Sequence, residues 1–344
     1  MPFTPRELAH PIVLAPMGGG ASTPALAAAV SDAGGLGFLA AGYLAVEAVR
    51  ADVEALRALT QRPFGVNLLA PPQPVPDPEA VQRYARALGD RYGGPLGEPR
   101  HDDDGWEAKL ALVAELRVPI VSFTFGCPPA DVVARLHDAG AAVWATVTTP
   151  LEARIAERAG ADALVVQGAE AGGHRATFDD TAPTDLGLLA ALQLIAAASR
   201  LPLVATGGLA TGRSIAAVLV AGAVAAQLGT AFMLCPEAAT SEPHRRAVAG
   251  DGETALTRSF TGRTARGIVN RFQRDHSASA PLGYPDVHHI TAPLRKAARE
   301  RGDSDGFHLW AGQAHPLAEP LPAAELVRRL AQEARAALRD AAAG

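Results

Sequence analysis

The feature that most constrains this fold is a repeating unit, in which a short apolar run ends at glycine or a polar residue and a helical segment follows. In the first unit, an apolar run at residues 11–16 leads into three glycines, and an alanine-rich segment then begins at Ser22-Thr23-Pro24. A hydroxyl side chain followed by proline is typical of a helix start. Units of this kind build parallel sheets whose strands are buried on both faces.

The unit recurs eight times, which favours a closed barrel over an open, doubly wound sheet. The predicted strands lie at residues 11–16, 36–41, 64–69, 120–125, 142–147, 162–167, 201–206 and 223–228. The predicted fold class is therefore α/β, a TIM (β/α)8 barrel. With 344 residues, the chain has room for such a barrel, which needs about 250 residues, and for an addition to it.

Two segments interrupt this rhythm. Residues 70–105 are rich in proline and end near Asp102-Asp103-Asp104, so we interpret them as an insertion over or beside the barrel and the aspartates as a solvated turn rather than a cation site. Residues 236–303 lose the strand pattern and are basic, which favours a small helical cap domain after the eighth strand. We therefore predict a barrel over residues 1–235, the cap over 236–303, and a return to the barrel over 304–344 with a closing amphipathic helix.

Charge, cysteines and motifs exclude several classes of protein. A net charge of -5 with 19% charged residues gives no general attraction to nucleic acid or to anionic membranes. Cys127 and Cys235 lie in no CxxC or Cys/His cluster, so we expect neither a disulfide framework nor a metal site. No leader or membrane-length apolar run is evident, which predicts a cytoplasmic protein. Walker A, GxGxxG and HExxH motifs are also missing.

The densest group of chemically active residues follows the sixth predicted strand, in the stretch 164–175, Leu-Val-Val-Gln-Gly-Ala-Glu-Ala-Gly-Gly-His-Arg. Folds of this class place their chemistry at the carboxyl ends of parallel strands. Two glycines allow the backbone to approach a ligand closely. His174 is therefore the candidate catalytic residue, and a structural, hydrogen-bonded histidine is the alternative. At its ordinary pKa of about 6.5 it would exchange a proton near neutral pH.

Glycine turns follow the seventh and eighth predicted strands, at Gly207-Gly208 and at residues 227–230. In barrels these two loops commonly hold a phosphate, because backbone N–H groups converge there with a helix N-terminus. Asn67, Gln167 and Gln227 lie near strand ends and offer amides to a flat heteroaromatic ring, although Asn67 could instead bridge core groups. Flavin mononucleotide (FMN) carries both a phosphate and such a ring.

Together these motifs resemble the nitronate monooxygenase family, whose members are FMN-dependent TIM-barrel flavoproteins. The resemblance rests on Ala15-Pro16-Met17, Ala33-Gly34-Gly35-Leu36-Gly37, Phe64-Gly65-Val66-Asn67, Ser122-Phe123-Thr124-Phe125-Gly126, residues 167–175, Gly229-Thr230, residues 262–272 and Trp310-Ala311-Gly312-Gln313. The block at 167–175 is the most specific of these. Ala176 stands where the family pattern would have glycine, which leaves the shape of the substrate pocket open at this point.

The resemblance implies roles for particular residues. The implied FMN-binding residues are Asn67, Gln167, Gly172, Gly208, Gln227, Leu228, Gly229 and Thr230, with Met17 near the ring. His174 would remove the α-proton of a neutral nitroalkane or, when protonated, orient an anionic nitro group. Arg175 or the arginines of residues 263–271 would supply positive charge. The implied activity is oxidation of alkyl nitronates, in some members also nitroalkanes, to carbonyl compounds and nitrite with O2.

Three alternatives stay open at this point. An FMN-dependent enoyl-ACP reductase and an NAD(P)H:quinone reductase share the scaffold and would need a nicotinamide, whereas the segment 262–267 favours the nitronate enzymes. A flavin-binding barrel used for storage or sensing is the non-enzyme alternative. We expect small molecules as partners, with no metal, nucleic acid or membrane, and the sequence leaves a homodimer open.

Overall fold

Eight parallel strands form the central sheet of the computed structural model, which describes residues 3–343. They are β1 (Ile12–Leu14), β2 (Gly37–Ala40), β3 (Phe64–Leu69), β4 (Ile120–Thr124), β5 (Ala142–Val147), β6 (Ala163–Gln167), β8 (Leu203–Thr206) and β9 (Ala225–Leu228), with β7 (Gly173–His174) outside the ring. Their order is β1-β9-β8-β6-β5-β4-β3-β2. Hydrogen bonds from Leu36 to Ile12 and from Leu14 to Leu36 then join the two ends, so the predicted TIM barrel is confirmed.

Helices connect these strands and cover the outside of the barrel. They are α1 (Pro24–Asp32), α2 (Val46–Leu59), α3 (Pro78–Tyr92), α4 (Trp106–Glu115), α5 (Ala130–Asp138), α6 (Pro150–Ala159), α7 (Leu188–Ala196), α8 (Gly212–Val220), α9 (Glu242–Val248), α10 (Arg271–His276), α11 (Asp286–Glu300) and α12 (Ala323–Ala343). Thr23 caps α1 by accepting the backbone N–H three residues later, as the sequence predicts, and Thr149 caps α6 in the same way. None of the helices in residues 3–343 combines the length and the apolarity needed to cross a membrane.

The barrel interior changes from apolar to polar along the strands. A cluster that includes Val13, Phe38 and Trp144 fills the interior, and the Phe38 and Trp144 rings lie 5.7 Å apart. The side chain two residues after each of these apolar residues points to the same face of its strand. On several strands that side chain is polar. The pairs are Trp144 with Thr146, Val165 with Gln167, Val204 with Thr206 and Ala225 with Gln227. This change from apolar to polar side chains places a polar layer at the carboxyl ends of the strands.

The segment after the barrel differs from the predicted helical cap. It contains α9, α10 and α11, but also an antiparallel hairpin of β10 (Thr254–Thr257) and β11 (Ala265–Ile268). β11 also pairs with β7, with Ala265 opposite His174. The expectation of a small helical cap is therefore not confirmed. The hairpin was missed because two four-residue strands are too short to produce a recognisable period-2 pattern. The hairpin brings this segment into direct contact with the candidate catalytic loop.

The insertion packs with this segment rather than with the barrel core. Helix α3 contributes Val81, Tyr84 and Leu88 to a second hydrophobic core. The other buried members of that core are Phe260, Phe272, Val287 and Ile290. We call the segment 236–303 the cap, and α3 of the insertion packs against it. The exact division of the chain at residues 235 and 303 stays a prediction.

Candidate active site

A cavity of about 370 Å³ opens at the carboxyl ends of the strands, within the usual range of roughly 300–1,000 Å³ for small-molecule sites. All ten residues that the sequence predicts for the site line this cavity. They are Met17, Asn67, Gln167, Gly172, His174, Gly208, Gln227, Leu228, Gly229 and Thr230. The structure therefore brings the predicted residues together, while their roles in binding FMN stay predictions.

Two amides are placed to contact a ring in this cavity. The Asn67 amide nitrogen donates to Ser122 Oγ at 2.9 Å and to Thr124 Oγ1 at 3.0 Å, which leaves the amide oxygen for a ligand. The Gln227 side chain is only 7% exposed and makes no hydrogen bond with the described residues, although it lines the cavity. A buried amide of this kind needs a partner, so a ligand with carbonyl and N–H groups fits it.

Gln167 instead orders the loop that carries His174. Its Nε2 donates to the His174 carbonyl at 3.1 Å, and its Oε1 accepts from Arg175 Nη1 and from the Ala176 N–H, both at 2.9 Å. Arg175 is 1% exposed and also donates to the Gly168 carbonyl. Its guanidinium therefore points away from the cavity, and the predicted role of Arg175 in supplying positive charge there is wrong. Ala176 is fully buried and fits the loop without glycine.

The turns after β8 and β9 form the barrel end of the cavity. Gly208 has φ +66, and a Cβ there would meet the Glu170 Cβ at 2.9 Å, so only glycine fits. Among the described residues, the backbone N–H groups of Gly208 and Gly229 donate to no partner. Thr240 Oγ1, also on the cavity wall, is buried and unpartnered in the same part of the chain. These free donors suit a phosphate group. Thr240 has no distinctive sequence context and was missed.

Gly172 has a structural reason to be glycine. A Cβ at this position would lie 2.4 Å from the Ala311 carbonyl carbon and 2.5 Å from the Gly312 nitrogen. The Gly312 N–H in turn donates to Thr230 Oγ1 at 3.0 Å. The return segment therefore ties the loop after β6 to the loop after β9, and this link fixes the two ends of the cavity relative to each other.

His174 lies at the cap end of the cavity. Its Nε2 is 2.9 Å from Thr261 Oγ1, and its ring packs against Phe125, Tyr284 and Trp310 with centroids 5.6 to 6.0 Å apart. Burial, followed by the nearby Arg263 and Arg295 charges, lowers the pKa of His174 to about 3. The imidazole is therefore neutral near pH 7. This differs from the expected ordinary pKa and makes the neutral imidazole, which can accept a proton, the form present at neutral pH.

Positive charge reaches the cavity from α11. Arg295 and Arg299 both line it, and within residues 3–343 neither forms a salt bridge with a carboxylate. Arg295 is 6% exposed and is held by Thr291 Oγ1 at 2.9 Å and the His288 carbonyl at 2.8 Å. Burial lowers the pKa of Arg295 to about 10, which still leaves it protonated at neutral pH. An unpaired buried cation of this kind suits an anionic ligand.

The arginines of residues 263–271 do not take this position. Arg263 lies over the Phe125 ring at 3.8 Å and donates to the carbonyls of Arg175 and Thr177. Arg266 donates to the Ala169 carbonyl, and Arg271 pairs with Asp303 on the surface. Of the predicted arginines, Arg263 therefore adds positive charge near His174, but none of these three lines the cavity. No local signal marked Arg295 and Arg299, since α11 reads as an ordinary basic amphipathic helix.

The aspartate run supports the rim of the cavity. Asp104 Oδ1 accepts the Tyr43 N–H at 2.9 Å, and Asp104 Oδ2 lies 2.7 Å from Lys109 Nζ. Tyr43 then stacks on His288 with ring centroids 4.4 Å apart. The run forms a turn, as predicted, but Asp104 is mostly buried in an ion pair rather than solvated. The insertion thereby positions an aromatic wall of the site.

The family comparison agrees with this geometry. The family model described as nitronate monooxygenase matches residues 5–333. The nitronate monooxygenase of Pseudomonas aeruginosa is 44% identical over 347 residues, which cover 95% of this chain and 96% of the relative. The nitronate monooxygenase of Paraburkholderia phytofirmans is 41% identical, covering 94% of this chain and 92% of the relative.

Solved structures place this chain in the same group. A nitroalkane oxidase from Streptomyces ansochromogenes is 50% identical with a TM-score of 0.94, covering 98% of this chain and 99% of that chain. FabK from Thermotoga maritima is more distant, at 26% identity and a TM-score of 0.78, covering 98% and 96%. The family match over nearly the whole chain, together with these identities, carries one conclusion. The chain belongs to the nitronate monooxygenase family.

Proposed function

We propose that this protein uses FMN and O2 to oxidise alkyl nitronates, and also neutral nitroalkanes, to carbonyl compounds and nitrite. Membership of a family of flavin-dependent oxidoreductases supports the reaction class. The observation that carries the proposal for this chain is that a neutral His174 and the unpaired cation of Arg295 border the same cavity. One group accepts a proton and the other stabilises an anion, which are the two needs of a nitroalkane and its nitronate.

The cavity fits the proposed cofactor. The unpartnered Gly208 and Gly229 N–H groups and the Thr240 hydroxyl would hold one phosphate, and the amides of Asn67 and Gln227 would contact the ring. We propose that the remaining predicted residues contact FMN from the cavity wall. They are Met17, Gln167, Gly172, Leu228 and Thr230. When bound, the flavin supplies the redox chemistry, accepting electrons from the substrate carbon and passing them to O2.

His174 would act as a base on neutral nitroalkanes. Proton transfer by a positioned side chain contributes roughly 10²–10⁴-fold to a rate. The α-proton of the substrate would move to the imidazole, and the developing negative charge on the nitro group would face Arg295. A preformed nitronate has no such proton, so it would need the cation of Arg295 more than the base at His174.

The cap, together with aromatic residues of the barrel and of the return segment, would shield the reaction from water. Trp310 and Phe125 border the cavity, and Tyr284 packs against the His174 ring. We propose residues 1–235 as the barrel domain, 236–303 as the substrate cap and 304–344 as the return segment. Excluding water strengthens the electrostatic interactions inside a site of this kind.

The direct test is spectroscopic. We expect purified protein to carry a visible flavin spectrum and to lose flavin absorbance when an alkyl nitronate is added without O2 and without nicotinamide. A colourless protein that stays colourless after FMN is added would contradict the cofactor. A flavin spectrum that changes only with NADH would contradict nitronate oxidation and favour a reductase.

A further inference from the structure

One hydroxyl of the cap touches His174. Thr261 is 2% exposed, and its Oγ1 lies 2.9 Å from His174 Nε2. Thr261 precedes Gly262, which has φ +76, and a Cβ at Gly262 would lie 2.5 Å from the Gly283 carbonyl carbon. The turn between β10 and β11 is therefore fixed by close backbone packing. This packing also fixes the position of the Thr261 hydroxyl against the imidazole.

The remaining contacts of Thr261 decide the direction of this hydrogen bond. Its Oγ1 lies 3.3 Å from the Arg263 carbonyl and 3.4 Å from the Arg263 nitrogen. A hydroxyl has one hydrogen and two lone pairs. If it donates to the Arg263 carbonyl, it can accept from the Arg263 N–H and from Nε2–H of His174. If it donated to His174 instead, that carbonyl would lose its one partner among residues 3–343, which is unfavourable for a buried group.

The other imidazole nitrogen faces the cavity. Nδ1 of His174 makes no hydrogen bond with the described residues, and those residues do not enclose it completely. His174 is itself part of the cavity lining. A neutral imidazole that keeps its hydrogen on Nε2 carries a lone pair on Nδ1. The lone pair is thus directed to the space where a substrate would bind.

We infer that Thr261 is a positioning residue that holds His174 in the Nε2–H tautomer and so makes Nδ1 the base toward neutral nitroalkanes. This inference rests on the proposed function and deepens it. In the step, the α C–H bond of the nitroalkane breaks and an Nδ1–H bond forms. The electron pair of the C–H bond moves into the nitro group, which yields the nitronate. The hydrogen on Nε2 stays in its bond to Thr261.

The kinetic test compares two substitutions with one control. Thr261→Val removes the hydroxyl and keeps the shape, whereas Thr261→Ser keeps the hydroxyl. Thr257→Val removes another buried cap hydroxyl, which bonds to Ser259 and lies outside the cavity. We expect kcat/KM for a neutral nitroalkane to fall at least about 10-fold more than kcat/KM for its preformed nitronate in Thr261→Val. Thr261→Ser and Thr257→Val should keep the ratio of the two values near that of the unmodified protein.

A second measurement reports the tautomer without relying on turnover. The chain has 10 histidines, so we would label them with ¹⁵N and identify the His174 signals by comparison with His174→Asn. The full chain, as purified, should show a protonated Nε2 and an unprotonated Nδ1, and Thr261→Val should show a mixture of tautomers. A protonated Nδ1 in the unmodified protein, or an unchanged tautomer and substrate ratio in Thr261→Val, would overturn the inference. If neither substrate is turned over while the ¹⁵N signals show the expected tautomer, the proposed function is refuted and the assignment of the tautomer is not.

Discussion

The two ends of the cavity are built in different ways. At the barrel end, the turns at Gly207-Gly208 and Gly229-Thr230 follow neighbouring strands and offer backbone N–H groups. At the cap end, His174, Thr261 and Arg295 come from three distant segments and act through their side chains. The barrel end therefore depends on local backbone geometry, whereas the cap end depends on how the cap packs against the barrel. We expect substitutions at the two ends to change different measured quantities.

The largest effect is expected at His174. Replacing it with alanine should lower kcat/KM for a neutral nitroalkane by about 10²–10⁴-fold, because the base is removed. The loss with a preformed nitronate should be much smaller, and flavin content should stay unchanged. His137→Ala, on the surface beside Asp162, is the matched control. Equal losses for both substrates, or loss of flavin, would show that His174 does not act as this base.

Arg295 should affect the anionic substrate most. Arg295→Gln should lower kcat/KM for an alkyl nitronate by about 10–100-fold, since hydrogen bonds to charged groups contribute roughly 1.5–3 kcal/mol. Initial rates of nitrite formation over a range of nitronate concentrations would measure this. Arg271→Gln removes an exposed arginine paired with Asp303 and should have little effect. A similar loss in both variants would show that Arg295 does not bind the nitronate.

Gly208 should affect the cofactor instead of the substrate. Gly208→Ala should weaken flavin binding by about 10-fold, because its Cβ would push against Glu170 and displace the donor loop. Gly222→Ala is a matched control, since Gly222 also has positive φ but an added Cβ meets nothing within 4 Å. The ratio of flavin to protein after dialysis measures the difference. Equal retention in both variants would contradict a phosphate site at this turn.

Acid should destabilise the cap end first. Burial is the main cause that lowers the pKa of His174 to about 3, of His244 to about 4 and of His288 to about 2. Unfolded histidines have a pKa near 6.5, so below about pH 6.5 the unfolded chain binds more protons than the folded chain. Stability should therefore fall as pH decreases from 6.5 toward 4, by up to about 1.4 kcal/mol per pH unit for each histidine.

Thermal unfolding between pH 7.5 and 4.5 would measure this loss. His288→Asn should flatten the dependence. A melting temperature that stays constant over this range, or a dependence that His288→Asn does not reduce, would mean that these histidines are not buried in the neutral form.

The same contrast explains what could be predicted from the sequence. The strands, the polar positions of Asn67 and Gln227, and the glycine turns follow from patterns within a few residues. The barrel was therefore predicted correctly, and the residues predicted for its end of the cavity line that cavity, while their contacts with FMN stay predictions. The hairpin at residues 254–268 was missed because its strands pair across a loop and with β7. Thr261 and Arg295 lie in segments whose orientation depends on packing of the cap.

Arg175 shows most clearly what could not be predicted from the sequence. It follows His174 directly, yet its side chain points into the loop and bonds to Gln167 and Gly168, while His174 faces the cavity. Successive residues in an extended segment point to opposite sides. The sequence places both residues near the site, but only the partners of each side chain decide which one can meet a substrate.

One measurement tests the proposed reaction most directly. Purified protein would be mixed with an alkyl nitronate in air-saturated buffer without nicotinamide, and O2 uptake and nitrite would be followed together. We expect O2 consumption and nitrite formation that both depend on the nitronate and on bound flavin. The contradicting result has two parts. A flavin-loaded protein would form no nitrite in this mixture, and the same protein would consume NADH when a quinone is supplied.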